Sequence, residues 1–328
     1  MKNQITTSAR KSLEKQQYRL VGSHSAVKVC HWTKSMIRGR GGCYKFKFYG
    51  IRSHQCMQMT TSLSCANRCT FCWRDYKAPV SKEWKWSIDD PEFILSNSLK
   101  AHEKLLIGFG GYDDRNDRAF KESKNVKHVA LSLTGEPIIY PKINELIRLF
   151  HKNRISTFLV TNGQYPEQLR NLERVTQLYI SVDAPNRELL KEIDKPLFHD
   201  YWARLRKSLE IMAQRKDRSV IRITAIKDLN MCDEEGYAEL IRLGDPDFIE
   251  VKGYMYIGAS MKRLKRQNMP NHKEVKEWSS KLLKYLPDYE LVSEHKPSIV
   301  TLLAKKKFKG KTLIDFDKFF KEVITNKP

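Results

Sequence analysis

From residue 56 onward, short apolar runs rich in β-branched residues alternate with longer stretches whose apolar residues recur every three or four positions. The short runs, CMQMTTSL, VKHVALSL, STFLVTN, TQLYISV, VIRITAI and DFIEVKGYMYI, predict six strands. Between them, PEFILSNSLKAHEKLLIG, PKINELIRLFHKN, HDYWARLRKSLEIMAQR and DEEGYAELIRLG predict amphipathic helices. Strand and helix in alternation describe successive βα units, because a parallel pair needs a crossover and the crossover helix covers one face of the sheet. Right-handed crossovers turn such units into an α/β fold, either a partial barrel or an open doubly wound sheet, with the site at the C-terminal strand ends.

Three additions surround this pattern. Residues 1–55 form a basic N-terminal extension, residues 56–260 the core, and residues 261–328 a C-terminal extension expected to pack on the core. In the last, MKRLKRQNMPNHKEVKEW, YELVSEHKPSIVTLLAKKK and FDKFFKEVI keep an apolar period and predict a helix, further strands and a short closing helix. The run GFGGYDDRNDRAFKESKN, residues 108–125, predicts a glycine- and charge-rich loop.

Composition changes the picture at two points. Sixty Lys and Arg against 38 Asp and Glu leave a net charge of +22 over 328 residues, a surplus spread along the chain that points to a polyanionic partner such as nucleic acid. Seven cysteines are present, six of them between residues 30 and 72, and such crowding favours metal ligation over disulfides in a reducing compartment. Cys232 is then left as an expected core residue. The N-terminal run MKNQITTSARKSLEKQQYRL lacks the apolar centre of a secretory signal, and no apolar run reaches membrane-spanning length, so a cytoplasmic location is expected with no membrane partner.

The densest chemistry lies in SLSCANRCTFCWRD, where Cys65, Cys69 and Cys72 make a CxxxCxxC loop directly after the first strand of the βα series. An iron–sulfur cube takes one outer ligand per iron, so three thiolates leave one iron open to a ligand that is not protein. The alternative is a zinc ion, with His54 or Cys56 completing a tetrahedron, although zinc sites more often use paired CxxC knuckles. Cys30, Cys43 and Cys56, each thirteen residues after the last, ask for a second metal, or else are core cysteines or a zinc site with His31 or His54.

With an aromatic residue, Phe71, before its last cysteine, the loop resembles the cluster loop of the radical S-adenosylmethionine superfamily. That resemblance implies a partial (β/α)6 barrel with N- and C-terminal extensions, a 4Fe–4S cluster on Cys65, Cys69 and Cys72, and S-adenosylmethionine as the missing ligand, cleaved to a 5′-deoxyadenosyl radical. It also implies cosubstrate contacts at later strand ends: Thr134, Gly135 and Glu136 in LSLTGEP, Asn162 and Gly163 in LVTNG, Ser181 and Asp183 in YISVDAP, and Arg222 and Thr224 in RITAI. Thr134 departs from the superfamily's Gly-Gly-Glu turn, which leaves the turn and the carboxylate as the parts carried over.

The whole run of CHWTKS, GRGGCYKFKFYGI, SLSCANRCTFCWRD, LSLTGEPIIYP and SVDAP narrows the resemblance to the tRNA 4-demethylwyosine synthases, radical enzymes of wyosine biosynthesis. The resemblance implies a second 4Fe–4S cluster on Cys30, Cys43 and Cys56, and condensation of pyruvate carbons with N1-methylguanosine at position 37 of phenylalanine tRNA. Pyruvate would be held by the open iron of that cluster, by a Schiff base on Lys45, or by both, with Lys47 the rival lysine. Trp73 and Arg74 either receive the unstacked base or are packing and loop charge. Arg38, Arg40 and the MKRLKRQ run are candidate tRNA contacts. No flavin-binding loop is visible, so the compact form resembles the archaeal members, and an external flavodoxin- or ferredoxin-like donor and a monomer are expected. Two other functions fit some of these features: a zinc-dependent RNA-binding protein without catalysis, and a radical enzyme acting on a different RNA or on a peptide.

Overall fold

The computed structural model describes residues 5–75 and 78–325, which leaves the opening MKNQ of the polar N-terminal run outside it. The six expected strands form as β3 (Cys56–Thr60), β4 (His128–Leu131), β5 (Ser156–Thr161), β6 (Gln177–Ser181), β7 (Arg218–Ala225) and β8 (Phe248–Gly253). They pair in sequence order and in parallel. The N-terminal extension adds β1 (Arg19–Val21) antiparallel to β2 (Ser25–Lys28), which is itself antiparallel to β3, and the C-terminal extension adds β9 (Tyr289–His295) and β10 (Val300–Lys305), with β10 antiparallel to β8. The result is one open ten-stranded sheet, ordered β1-β2-β3-β4-β5-β6-β7-β8-β10-β9.

Twelve helices accompany it among the described residues. The N-terminal segment holds α1 (Thr7–Lys15), α2 (His31–Ile37) and α3 (Tyr44–Tyr49). The crossovers carry α4 (Pro91–Leu106), α5 (Asp117–Ser123), α6 (Ile143–Lys152), α7 (Pro166–Arg170), α8 (Arg187–Asp194), α9 (Tyr201–Gln214) and α10 (Glu234–Gly244). The C-terminal segment supplies α11 (His272–Leu283) and α12 (Phe316–Thr325). Their starts are written in local chemistry. Asp90 accepts from the Glu92 amide with Pro91 at the first helical position, and Asn271 with Glu274 makes a reciprocal capping box. The stretch 108–125 is not wholly loop: Asn116 caps α5 by accepting from the Ala119 amide, a cap that outweighs the surrounding charge.

Two apolar layers sandwich the parallel strands. Outward, Ile249 and Val251 of β8 and Leu146, Ile147 and Phe150 of α6 belong to one continuous core under the helices. Inward, Phe158, Tyr179, Val220 and Phe248 meet α3 through Tyr44, Phe48 and Tyr49. Full burial of a side chain such as Phe48 contributes about 2–3 kcal/mol, so α3 is a plug anchored inside the half-barrel. Period-two alternation therefore turns Glu250 and Lys252 of β8 to the inside with Phe248.

Cys232, expected in the core, is exposed. It lies in the connection to α10, where Asp233 takes φ +49° as the helix cap and turns the chain at the surface. No described helix is long and apolar enough to cross a membrane.

Candidate active site

β3 ends at Thr60, and Ser62 to Ser64 lead directly into Cys65. Gly135, at φ +68°, lies against this approach: a Cβ there would stand 1.9 Å from the Ser62 carbonyl oxygen, so the turn after β4 requires glycine. The next residue's amide donates to the Ser64 carbonyl at 2.8 Å and seats the buried Glu136 beside Cys65. One Glu136 oxygen accepts from the Asn162 amide at 3.2 Å, and the other has no partner among the described residues. Desolvation raises this carboxyl to about 7 against hydrogen bonds from Thr161 and Asn162. The Asn162 side chain in turn donates to Cys65 Sγ at 3.5 Å.

The rest of the CxxxCxxC loop is held from two sides. The Arg68 and Thr70 amides donate to the Asp194 and Ile193 carbonyls at 2.9 and 2.7 Å, tying the loop to the end of α8. From the C-terminal segment, the Arg263 guanidinium donates to the carbonyls of Thr70, Cys72 and Arg74. Burial raises Cys65 to about 12 and holds Cys69 well above the usual thiol range, where the nearby Asp194 adds to the effect. Soft metal binding would displace those protons, and Asn67 Oδ1 and Asp194 Oδ1, buried and without a partner among the described residues, mark the polar pocket beside it. These donors fit an iron–sulfur cluster of the kind that takes one thiolate per iron. Among the described residues no three His, Cys, Asp or Glu converge on one ion, and the His54 ring nitrogens meet Glu122 (2.8 Å) and Met36 Sδ (3.0 Å).

Asp183, after β6, accepts from the Thr224 amide at 2.9 Å, and its carboxyl is raised to about 6, chiefly by burial. Ser181 and Glu250 both pair in register with Arg222, which therefore stands between the Asp183 side of the half-barrel and its inner chamber. Phe71 packs with Ile193, Ile226 and Tyr254 under the loop, while Thr134 is buried in its turn. Trp73 packs with Tyr18 and Leu63 and under Lys28, and Arg74 donates to the Leu63 and Pro79 carbonyls at 3.0 and 3.3 Å. Both side chains are spoken for by packing and loop charge.

The early cysteines gather around α3. Cys30 precedes α2, Cys43 precedes α3, and Cys56 opens β3. Thr33 donates to the Ser53 carbonyl at 2.9 Å, and Ser53 Oγ donates to Cys43 Sγ at 3.3 Å, knitting the three segments together. Burial pushes the Cys30 and Cys56 thiols up, Cys43 adds to both shifts, and Lys45 offsets them. Lys45 Nζ stands 4.3 Å from the Tyr179 ring centroid, whereas the exposed Lys47 reaches out to the Glu294 carbonyl at 2.7 Å. α3 thus points one lysine into the barrel and the other away.

Two residues of this chamber, Glu250 and Lys252, and Arg263 against the cluster loop escaped the sequence reading. Glu250, wholly buried, accepts from the Tyr49 hydroxyl at 2.8 Å, and neither its second oxygen nor Arg222 Nε has a partner among the described residues. Lys252 donates to the Ser298 carbonyl at 3.0 Å and is lowered to about 7, by desolvation first and Arg222 second, with Glu250 opposing. Their signal was present in DFIEVKG, where charged residues alternate with apolar ones in a strand buried on both faces. Arg263 carried none, being one of four cations in MKRLKRQ.

Comparison with known proteins agrees with this geometry. Residues 59–241 match the family described as the radical SAM superfamily, and residues 243–305 match the one described as wyosine base formation. The chain is 51% identical over 320 residues to the S-adenosyl-L-methionine-dependent tRNA 4-demethylwyosine synthase TYW1 of Xenopus laevis, covering 96% of this chain and 44% of that one. It is 49% identical to the Schizosaccharomyces pombe synthase, covering 97% and 48%. The chain thus spans about half the length of the curated relatives it matches. Two solved structures superpose: TYW1 with a lysine-pyruvate adduct bound, at TM-score 0.84, 35% identity and 96% and 99% coverage, and an archaeal TYW1, at 0.75, 34%, and 92% and 97%.

Proposed function

Because the chain belongs to the tRNA 4-demethylwyosine synthase family of the radical S-adenosylmethionine superfamily, we propose that it condenses pyruvate carbons with N1-methylguanosine-37 of phenylalanine tRNA to give 4-demethylwyosine. The observation that carries this reading is the buried group of charged side chains behind α3. Lys45, Arg222 and Lys252 make it up with Glu250 as their carboxylate, an excess of positive charge inside a half-barrel that suits a small keto acid anion. A solved relative is described with a lysine-pyruvate adduct, and Lys45 is the lysine whose position suits that role here.

In this reading Cys65, Cys69 and Cys72 hold one 4Fe–4S cluster and Cys30, Cys43 and Cys56 a second. When bound, the first supplies the electron that cleaves S-adenosylmethionine to a 5′-deoxyadenosyl radical. The residues do the positioning. Glu136 and Asn162 meet the methionine amino group beside Cys65, and Asp183 and Ser181 line the next strand end. Desolvation lowers Lys45, with Arg222 helping and Glu250 opposing, which raises the fraction of free amine able to add to the pyruvate ketone. The cation Arg222 and the protonated form of Lys252 receive the carboxylate. The electron donor is flavodoxin- or ferredoxin-like, and the chain acts as a monomer in the cytoplasm.

The test is direct. Anaerobically reconstituted protein given S-adenosylmethionine, a reductant, pyruvate and tRNA bearing N1-methylguanosine is expected to yield the tricyclic base, seen by mass spectrometry of the digested tRNA. Absence of the product with both clusters loaded would sink the reading.

Glu136 gives a second expectation. An ammonium prefers the ionised carboxylate, and this carboxyl is protonated below about 7, so S-adenosylmethionine affinity should rise with pH and level off above that value. Glu136→Gln should bind weakly at every pH, with the slope gone. Calorimetry between pH 5.5 and 8.5, roughly the window about this value, decides it. A slope that survives in the variant would assign the titration elsewhere.

A further inference from the structure

α2 has two uses. Its inner side, Thr33 and Ile37, is buried beside the early cysteines. Its outer side carries His31, Lys34 and Ser35 and continues to the cap residue Arg38, one stripe at helical spacing. That stripe forms one wall of a groove of about 550 Å³. The rings of Phe109 and Tyr112 also line it, stacked with their planes 25° apart and their centroids 5.5 Å apart. Tyr112 is 43% exposed, a large ring left open to solvent.

Charge is arranged around the rings. Lys34 Nζ lies 5.9 Å from the Phe109 centroid and the Arg38 guanidinium 4.6 Å from that of Tyr112. Arg19 and Arg40 extend the rim. Against these four cations stand Glu14, on the groove wall, and Asp114, which pairs with Arg38 and Arg40. The rim keeps a positive excess, and neither the rings nor the cations serve the chemistry described above.

An exposed aromatic ring, backed by a second ring stacked on it and set beside cations, is the pattern by which proteins hold an unstacked nucleotide: the base stacks on the ring and the phosphates meet the charges. The groove is of a size to admit a nucleotide and too small for a double-stranded stem. We propose that this groove is a second nucleotide site, taking a base of the single-stranded anticodon loop other than the one that reacts. The inference rests on the tRNA reading above and adds to it where the loop is gripped. α2 joins the two places: the residue before it, Cys30, faces the other thiols while its outer stripe faces the groove. RNA bound in the groove would fix the helix that borders the reaction chamber.

The experiment compares wild type, Tyr112→Ala, Lys34→Gln and, as a control, Tyr285→Ala, an exposed ring beyond α11. Each reconstituted protein is titrated into a labelled anticodon stem-loop carrying N1-methylguanosine, at several salt concentrations. Tyr112→Ala is expected to weaken binding about tenfold through lost stacking. Lys34→Gln should reduce the salt slope by about 0.7, the signature of one phosphate contact to a single strand. Tyr285→Ala, iron content and 5′-deoxyadenosine release without RNA should not change. Wild-type affinity in both groove variants overturns the inference and leaves the proposed function standing. Failure of the wild type to bind the stem-loop would bring down the functional reading itself.

Discussion

Lys45→Arg is expected to lower formation of the modified base by roughly two orders of magnitude or more while release of 5′-deoxyadenosine continues. The two activities separate because they belong to different elements. The cosubstrate loop is fastened by α8 and Arg263, whereas Lys45 rides on α3 inside the barrel. Arginine keeps the charge and the length over the Tyr179 ring, but its guanidinium does not become a free amine at neutral pH. The measurement pairs product analysis with trapping: wild type incubated with pyruvate and cyanoborohydride should carry a reduced adduct on the peptide holding Lys45. Adduct formation should increase with pH, because the free amine is the nucleophile, and the Tyr179 face, which favours the cation, opposes it. An adduct on Lys47 or Lys252 instead, or an arginine variant with full turnover, would remove Lys45 from the chemistry.

Replacing Cys30, Cys43 and Cys56 together by alanine should take iron from about eight to about four per chain after reconstitution and abolish base formation, with cosubstrate cleavage retained. Cys43 is close enough to push the Cys30 and Cys56 thiols up, and Lys45 acts on the same two, so the loss would remove a centre from beside the amine that takes pyruvate. Circular dichroism of the variant should match wild type, since α3 is anchored by Tyr44, Phe48 and Tyr49 and not by its cysteine. Iron and acid-labile sulfide unchanged between the two proteins would leave the radical centre in place and overturn the second cluster. A colourless wild type binding zinc at both sets would support the non-catalytic alternative.

The chain's own pattern determined a good deal. Six strands and the four longer helices between them, α4, α6, α9 and α10, were readable because the strands and helices are buried in patterns that are local periodicities, whereas the shorter α5, α7 and α8 were not. The CxxxCxxC loop was readable because its three thiols lie in one short segment directly after a strand. Gly135 and Glu136 were readable as a turn at a strand end, although the reason for that glycine, the Ser62 carbonyl 1.9 Å from its missing Cβ, is a contact between distant segments.

What tertiary structure decided follows from direction and distance, which spacing does not contain. Lys45 and Lys47 are equivalent in a string of letters, yet a short helix rotates them apart, one toward Tyr179 and one toward Glu294. Arg263 reads as surface charge until the C-terminal segment folds back across the cluster loop and meets three carbonyls. Glu250, Arg222 and Lys252 become one chamber only when adjacent strands curve around α3. Cys232 looked apolar by composition and proved exposed by position, because burial is a property of the surroundings a residue is folded into and not of its side chain alone.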